Sequence, residues 1–305
     1  MIIIFGRFLS SIVLTIYSYS ALSPALYISQ PVIRQGEFIT VSLTLPKSFK
    51  TLDGTFFGRK IKFFKTDTSN KYHALIGADV IAAPGIHPLE VNVNYVDGKS
   101  YSSIEMIFVQ EGNFRKENLK FGRKSDIEEK VKKRVYNEWV MMQSILASGK
   151  ERRLWKGEFI YPINGKITSG FGNQRIFDKE LQTVHTGVDF RAPIRTPVKS
   201  PNNGRVAFAG KLYYCGNTLL IDHGAGLFSQ YCHLHSSKAK NGDMVKTGEI
   251  VAFSGNSGRT TGPHLHWAIH VNGARVDPMY VKKYSAVVLP RGLAKEAIKQ
   301  EEPVI

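Results

Sequence analysis

Histidine and aspartate side chains concentrate in three short clusters within the second half of this 305-residue chain. The clusters are His185-Thr186-Gly187-Val188-Asp189, Tyr231-Cys232-His233-Leu234 and Gly262-Pro263-His264-Leu265-His266-Trp267. Zinc binds imidazole nitrogen and carboxylate oxygen, and a catalytic zinc site uses three protein ligands with water in the fourth position. The clusters therefore predict a metal site with additional imidazoles that could transfer protons.

Two strand-like segments would position these histidines. The segment Leu265–Val271 is mostly apolar. Residues two apart on a strand share a face, so His264 and His266 should point into one site while Leu265 enters the core. A second apolar run ends two residues before His233 and would deliver a further imidazole from a neighbouring strand.

The chain has only two cysteines, which excludes a disulfide-stapled scaffold and a zinc ribbon of four thiolates. If Asp222–Gly226 forms a hairpin turn, its strands could bring Cys215 and Cys232 together, although diagonal neighbours can be too distant to bridge. The sequence leaves this disulfide open. Strand alternation predicts that Cys232 faces away from the metal, because it is adjacent to His233.

The order of these motifs resembles the lysostaphin-type (LytM-like) zinc metallopeptidases, a family of peptidoglycan endopeptidases. The resemblance extends from about Tyr161 to Asp277. Besides the three clusters, it includes Ile167-Thr168-Ser169-Gly170-Phe171-Gly172, Ala192-Pro193, Gly216-Asn217, Ile221-Asp222-His223-Gly224, Val245-Lys246-Thr247-Gly248 and Ser257-Gly258. It implies an antiparallel β-sheet catalytic domain that hydrolyses peptide bonds in peptidoglycan stems or cross-links.

The same resemblance implies a role for each of five residues. His185, Asp189 and His266 match the zinc ligands, His264 matches the general base, and His233 matches a second catalytic histidine that stabilises the transition state. The bound Zn²⁺ would activate the attacking water. The alternative is a catalytically silent or latent regulator that binds the cell wall. Silent relatives lose zinc ligands, whereas this chain retains all of them.

Four further residues near the motifs have expected roles outside the set of five. His270 shares the predicted strand face of His266 and is an alternative ligand. His223 lies in a turn signal and is expected to be structural, and His235 is expected at the edge of the cleft. Arg175 is a possible substrate contact, which the resemblance suggests through its position after Gly172.

The remaining chain predicts a mainly β protein with several regions. Period-two alternation with intervening turn signals predicts an immunoglobulin-like β-sandwich over residues 24–112. A Lys- and Arg-rich stretch, 113–154, predicts a linker helix with an apolar stripe that includes Trp139. We expect this basic helical connector to dock on a neighbour, although it could also guide an anionic polymer or cover the site. The catalytic domain is placed at 155–282 and a tail at 283–305.

The N-terminus predicts export. Residues 1–23 contain one charged side chain, Arg7, followed by the mostly apolar run Phe8–Ile16 and small residues, as in a signal peptide. An uncleaved anchor or a buried first strand is the alternative. The net charge of +16 implies an anionic partner, which would be nucleic acid, an acidic membrane face or an acidic cell-wall polymer.

The predicted export decides among these three classes of anionic partner. No nucleic-acid-binding motif spacing accompanies the positive charge. We therefore expect a periplasmic or secreted protein whose partner is peptidoglycan, without nucleic acid and without a stable membrane anchor after cleavage. The sequence does not specify an oligomeric state.

Overall fold

The structure is a computed structural model that describes residues 23–66, 70–119, 128–177 and 180–288. The described chain is mainly β, as predicted, and contains two helices. The predicted signal peptide, apart from its last residue, and most of the predicted tail lie outside the described residues. Within the described ranges, neither helix is both long and apolar enough to cross a membrane.

The N-terminal half forms two sheets around one core. Its strands are β1 (Ala25–Ile28), β2 (Val32–Arg34), β3 (Phe38–Thr44), β4 (Phe49–Phe56), β5 (Arg59–Lys60), β6 (Phe63–Lys65), β7 (Lys71–Gly77), β8 (Gly85–Tyr95) and β9 (Ser100–Gln110). The sheet orders are β1-β3-β7-β6 and β2-β9-β8-β4-β5. Alternate apolar residues of both sheets fill a shared core, as the period-two pattern predicts. The immunoglobulin-like type of this sandwich stays a prediction.

The predicted helical connector contains a strand as well as a helix. Strand β10 (Lys116–Leu119) precedes helix α1 (Glu129–Ala147), which lies within the predicted connector. Met142 and Leu146 anchor α1 in a small apolar cluster. Trp139, expected in the buried stripe, is 57% exposed. The expectation fails there because the helix buries only its C-terminal turns against the sheet.

The C-terminal half is a largely antiparallel assembly. Its elements are β11 (Ile167–Ser169), β12 (Gln174–Phe177), β13 (Glu180–Val184), β14 (Val188–Arg191), β15 (Pro197–Lys199), β16 (Gly204–Leu212), β17 (Gly216–Asp222), β18 (Leu227–Ser237), β19 (Met244–Val245), β20 (Ile250–Ser254), β21 (His264–Val271), β22 (Ala274–Val276) and α2 (Pro278–Val288). The main sheet runs β11-β14-β21-β18-β17-β16-β19, with β22 beside β21 and with β20 linking β15 to β18. Strands β10, β12 and β13 form a separate small sheet.

The two halves share buried contacts. Phe38, Phe64 and Leu75 from the N-terminal half belong to the same apolar cluster as Trp267 from the main sheet. The buried Asp79 carboxylate accepts hydrogen bonds from the Arg275 guanidinium at 2.6 and 3.0 Å. The halves are therefore joined by apolar packing and by an ion pair. The domain boundaries given above stay predictions.

Candidate metal centre and active site

Strand β21 presents its histidines on one face, as predicted. Leu265 is fully buried in the core, whereas His264 and His266 on either side of it are half-buried. Strand β14 lies antiparallel to β21 and places Asp189 directly opposite His266. Directly opposed residues share a face of a sheet. The pairing of these two strands therefore brings a carboxylate to the predicted imidazoles.

Three side chains converge tightly at this point. His185 Nε2 lies 3.0 Å from Asp189 Oδ1 and 3.1 Å from His266 Nδ1. His266 Nδ1 lies 2.9 Å from the same carboxylate oxygen. In the part of the chain that the structure describes, this is the group of histidine, cysteine and acidic residues close enough to hold a metal ion. Ligands on a tetrahedral zinc with the usual bond lengths stand about 3.3 Å apart.

The hydrogen bonds around His185 favour a cation in this group. His185 Nδ1 donates to the Gly170 carbonyl at 2.7 Å, which leaves a lone pair on Nε2 of the neutral ring. That lone pair faces the Asp189 carboxylate oxygen, so two acceptors lie within contact distance. A positive charge between them removes the repulsion. Two imidazoles with one carboxylate are a donor set that suits Zn²⁺, so the residues present fit the predicted cofactor.

The electrostatics of the cluster agree with this preference. Burial lowers the pKa of His185, but the adjacent Asp189 carboxylate outweighs burial and raises that pKa on balance. Burial raises the pKa of Asp189, but the adjacent His185 and His266 imidazoles outweigh burial and hold that pKa well below its usual range. Burial lowers the pKa of His266. Asp189 is therefore ionised at neutral pH and provides the negative charge that a metal cation requires.

Two further imidazoles border the cluster. His264 Nδ1 donates to the Gly262 carbonyl at 2.8 Å, and His233 Nδ1 donates to the Ser257 carbonyl at 2.9 Å. The two ring centroids are 4.7 Å apart, and His264 Nε2 lies 3.8 Å from Asp189 Oδ1. Nε2 of each ring is therefore available to contact a reacting group. Burial lowers the pKa of His233 to about 4, so its Nε2 is an acceptor at neutral pH.

An unusual backbone conformation brings His233 to the site. Its φ is 60°, in the left-handed region that residues other than glycine seldom adopt. Cys232 lies directly opposite His266 in the register of β18 and β21, so its backbone position belongs to the same face. The expectation that Cys232 faces away from the metal is wrong, because the alternation it assumed breaks at His233.

Both cysteines are free thiols in the structure. The side-chain amide of Gln230 lies 3.6 Å from each sulfur. Burial raises the pKa of the Cys232 thiol well above its usual value. Cys232 is therefore a buried neutral thiol outside the metal-capable group rather than a thiolate ligand.

The remaining predicted residues lie around the site without joining the cluster. His270 is buried and its Nε2 donates to the Gln230 side-chain oxygen at 2.9 Å. His223 is buried between the Asn203 carbonyl and the Ser229 hydroxyl. His235 is exposed and accepts a hydrogen bond from Arg195. Arg175 pairs at 3.7 Å with Glu117 of strand β10, and its substrate contact stays a prediction.

Sequence reasoning missed the backbone groups that orient the imidazoles. The carbonyls of Gly170, Ser257 and Gly262 each accept a hydrogen bond from an Nδ1 atom, and a carbonyl has no residue signature. Gly187, in the His-Thr-Gly pattern, has a structural role that its sequence position does not indicate. A Cβ there would lie 2.5 Å from the Trp267 carbonyl oxygen and 2.8 Å from the His266 ring. Glycine at this position therefore allows β21 to approach the cluster.

Comparison with known families identifies this region. Residues 183–278, which include all five predicted site residues, match the model of Peptidase family M23. The chain therefore carries a peptidase M23 domain. This match confirms the predicted resemblance and the metallopeptidase class of the C-terminal half.

Similar proteins of known name share this region. Peptidoglycan DD-endopeptidase ShyB of Vibrio cholerae is 40% identical over 123 residues, which are 39% of this chain and 29% of ShyB. DD-carboxypeptidase/endopeptidase Mpg of Neisseria meningitidis is 37% identical over 116 residues, which are 38% of this chain and 27% of Mpg. The matched segments thus span less than a third of either relative.

One solved structure resembles most of the molecule. A Pseudomonas aeruginosa protein assigned to peptidase M23 aligns with a TM-score of 0.62 and 24% identity. The alignment covers 86% of this chain and 97% of that one. The similarity extends beyond the peptidase domain, so the two proteins share an overall fold.

Proposed function

We propose that this protein is an exported zinc-dependent endopeptidase that hydrolyses peptide bonds in the stems or cross-links of peptidoglycan. The observation that carries the proposal is the convergence of His185, Asp189 and His266 beside two imidazoles with available Nε2 atoms. The names of ShyB and Mpg supply the substrate class.

His185, Asp189 and His266 would hold the zinc ion through one nitrogen, one oxygen and one nitrogen atom. When bound, zinc polarises a scissile carbonyl and lowers the pKa of water toward about 7. The carbonyl of Gly170 fixes the His185 ring so that Nε2 points into the cluster. Such outer hydrogen bonds keep metal ligands oriented and raise their basicity.

His264 is assigned as the general base. Its Nδ1 hydrogen is engaged by the Gly262 carbonyl, so a neutral ring accepts a proton only at Nε2, the atom nearer to Asp189. Its protonated ring can afterwards return that proton to the leaving amine. The Thr260 hydroxyl lies 3.1 Å from Nδ1 and further restrains the ring.

His233 is assigned the stabilisation of the transition state. With Nδ1 bonded to the Ser257 carbonyl, the neutral ring orients water by accepting a hydrogen bond at Nε2. A ring that has been protonated from solvent instead donates from Nε2 to the developing oxyanion. Both imidazoles thus present Nε2 to the reacting groups, because a backbone carbonyl engages Nδ1 of each ring.

Export fits the chemistry of the substrate. The net charge of +16 favours accumulation on an anionic wall polymer. The predicted signal peptide at residues 1–23 would bring the protein to the periplasm or the cell surface, where that polymer lies. Salt-sensitive binding to purified sacculi is expected from this attraction.

Digestion of cross-linked peptidoglycan tests the proposal. The zinc-loaded full chain should release fragments whose masses identify the cleaved peptide bond. Removal of the metal with a chelator should abolish release, and added Zn²⁺ should restore it. Binding of sacculi without fragments, despite one equivalent of zinc, would instead favour a wall-binding regulator.

A further inference from the structure

An aromatic groove lies on the exposed side of helix α1. It has a volume of ≈ 380 Å³ and is lined by Lys132, Val135, Tyr136, Trp139 and Tyr214. The Tyr136 and Trp139 rings lie 6.1 Å apart with an angle of 31° between their planes. Their side chains are 62% and 57% exposed. Two large rings, tilted relative to each other, are thus presented to solvent instead of being used in the core.

The walls of this aromatic groove are held in place. The Glu138 carboxylate accepts a hydrogen bond from the Tyr213 backbone at 2.7 Å and another from Arg134 Nε at 2.8 Å. These bonds attach α1 to the turn that carries Tyr214. Below them, Met142 packs with Leu212 in a buried cluster. The groove therefore exists before any ligand arrives, which reduces the entropic cost of binding.

Contacts of Tyr214 connect the groove to a loop that borders the proposed active site. The Tyr214 carbonyl accepts a hydrogen bond from the Arg259 backbone at 2.9 Å, and the Arg259 guanidinium lies 5.9 Å from the Tyr214 ring. Arg259 belongs to the same loop as Ser257, whose carbonyl orients His233. One loop therefore contacts both the aromatic groove and a proposed catalytic histidine.

We infer that the aromatic groove binds the amino-sugar strand of the same peptidoglycan whose stem peptide enters the active site. This inference rests on the proposed function. A pyranose ring presents a face of C–H groups that stacks on an aromatic face, while its hydroxyl and acetamido groups remain in water. Tyr and Trp are suited to such contacts, because they combine a flat apolar surface with a polar edge.

Size and charge favour a sugar strand over a protein helix. The volume of ≈ 380 Å³ lies in the range of small-ligand sites, and the groove has five lining residues, whereas each side of a stable protein interface has about 20–30. Lys132 lines the groove and Arg259 adjoins Tyr214, so two cations flank the rings. They match the carboxylates of neighbouring stem peptides, although Lys132 also contacts Glu129 at 3.3 Å.

Intrinsic fluorescence gives a test that does not depend on catalysis. The chain has three tryptophans, and Trp155 and Trp267 are buried while Trp139 is exposed in the groove. Titration of the full chain with the trimer of N-acetylglucosamine should produce a saturable blue shift with a Kd of about 1 mM. Trp139→Ala should abolish the shift, and Tyr136→Ala should weaken binding about fivefold while retaining the reporter.

A matched control uses an exposed aromatic residue outside the groove. Tyr27 on strand β1 is 65% exposed, and Tyr27→Ala should bind the trimer as the unchanged chain does. Circular dichroism of each variant checks that it is folded. The absence of a saturable shift in the unchanged chain, or equal shifts in the unchanged chain and Tyr136→Ala, would overturn the inference.

A substrate comparison connects the groove to the reaction. Trp139→Ala should lower kcat/KM on intact sacculi about fivefold more than on cross-linked stem peptides stripped of sugar. Equal losses on both substrates would contradict a sugar-binding role. If neither substrate is cleaved, the proposed function fails, whereas the fluorescence titration still decides whether the groove binds amino sugars.

Discussion

The N-terminal sandwich and the C-terminal sheet are both built on alternating strands, but they place polar side chains differently. On β8, Leu89 and Val91 are buried while Glu90 between them faces solvent. On β21, Leu265 is buried while His264 and His266 on the other face are enclosed by neighbouring elements. Polar groups that lose water must find partners or neutralise. Enclosing the polar face is therefore what turns a structural strand into a reactive one.

The same contrast appears among the histidines. His87, in the N-terminal half, forms a hydrogen bond through Nε2 with the Ala83 carbonyl at the surface. His185, in the C-terminal half, satisfies one nitrogen with a carbonyl and directs the other toward a carboxylate and a second imidazole. Chemistry thus depends on the second nitrogen of the ring, which the local sequence does not describe.

The largest expected effect comes from removing a metal ligand. His185→Ala should lose both zinc and peptidoglycan hydrolysis, because two remaining ligands leave the site incomplete. His87→Ala in the other half should retain both. Metal analysis and fragment mass spectrometry measure the two properties. Stoichiometric zinc in purified His185→Ala would refute the ligand assignment.

A smaller loss is expected from the proposed general base. His264→Ala should keep zinc, because His264 lies outside the metal-capable group, but should lower kcat by about 10²–10⁴-fold. Initial rates on cross-linked peptidoglycan, with metal content measured on the same preparation, provide the comparison. A zinc-loaded variant of undiminished activity would contradict the assignment.

Acid should destabilise the C-terminal half through its buried histidines. Burial lowers the pKa of His223 to about 4, below its ordinary value of 6.5. Its contribution to stability is complete above pH 6.5 and is lost as pH falls toward 4, because the unfolded chain binds the proton first. This pKa difference between the unfolded and folded chains corresponds to about 3 kcal/mol of unfolding free energy.

Urea unfolding measured from pH 4 to 7 tests this pH dependence. The unfolding free energy of His223→Gln should vary less with pH than that of the unchanged chain. The exposed His235→Gln should behave as the unchanged chain. Identical slopes for all three proteins would exclude a neutral His223 as the cause.

The smallest effect concerns the contact between the halves. Burial opposes ionisation of Asp79, but its hydrogen bonds with Arg275 hold the pKa of the carboxyl below its usual value. Asp79→Asn should lower the unfolding free energy by about 2 kcal/mol, less than for a fully buried pair because Arg275 is partly exposed. The zinc content of Asp79→Asn, measured without substrate, should equal that of the unchanged chain.

Differential scanning calorimetry would sharpen the comparison of the halves. A single transition that shifts downward in Asp79→Asn is expected if the halves unfold together. Conversion to two separate transitions would show that the ion pair couples otherwise independent units. An unshifted single transition would mean that apolar packing alone joins them.

Local sequence patterns predicted much of the candidate site. The His-x-His spacing predicted a shared face, which the structure confirms, since strand alternation is a local property. The path of His233 could not be predicted in the same way. Its φ of 60° breaks the alternation and is maintained by surrounding contacts such as the His233 N–H bond to the Cys215 carbonyl at 2.7 Å.

The connector shows a second limit of local pattern. The spacing that includes Trp139 predicts a helix, and α1 is present. The prediction that Trp139 is buried is wrong. Periodicity identifies an apolar stripe but does not show how much of its length packs against a partner. Strand β10 escaped prediction since its four residues gain their conformation by pairing with β12.

The amino-acid sequence by itself determined the β architecture, the helix and the residue types that meet at the metal centre. Those properties depend on side-chain chemistry and on spacing within one element. Tertiary structure alone decided the register of β14 against β21, the carbonyls that orient each imidazole and the exposure of Trp139. These features join groups far apart in the chain, so their energies arise only when the strands pair and the halves pack.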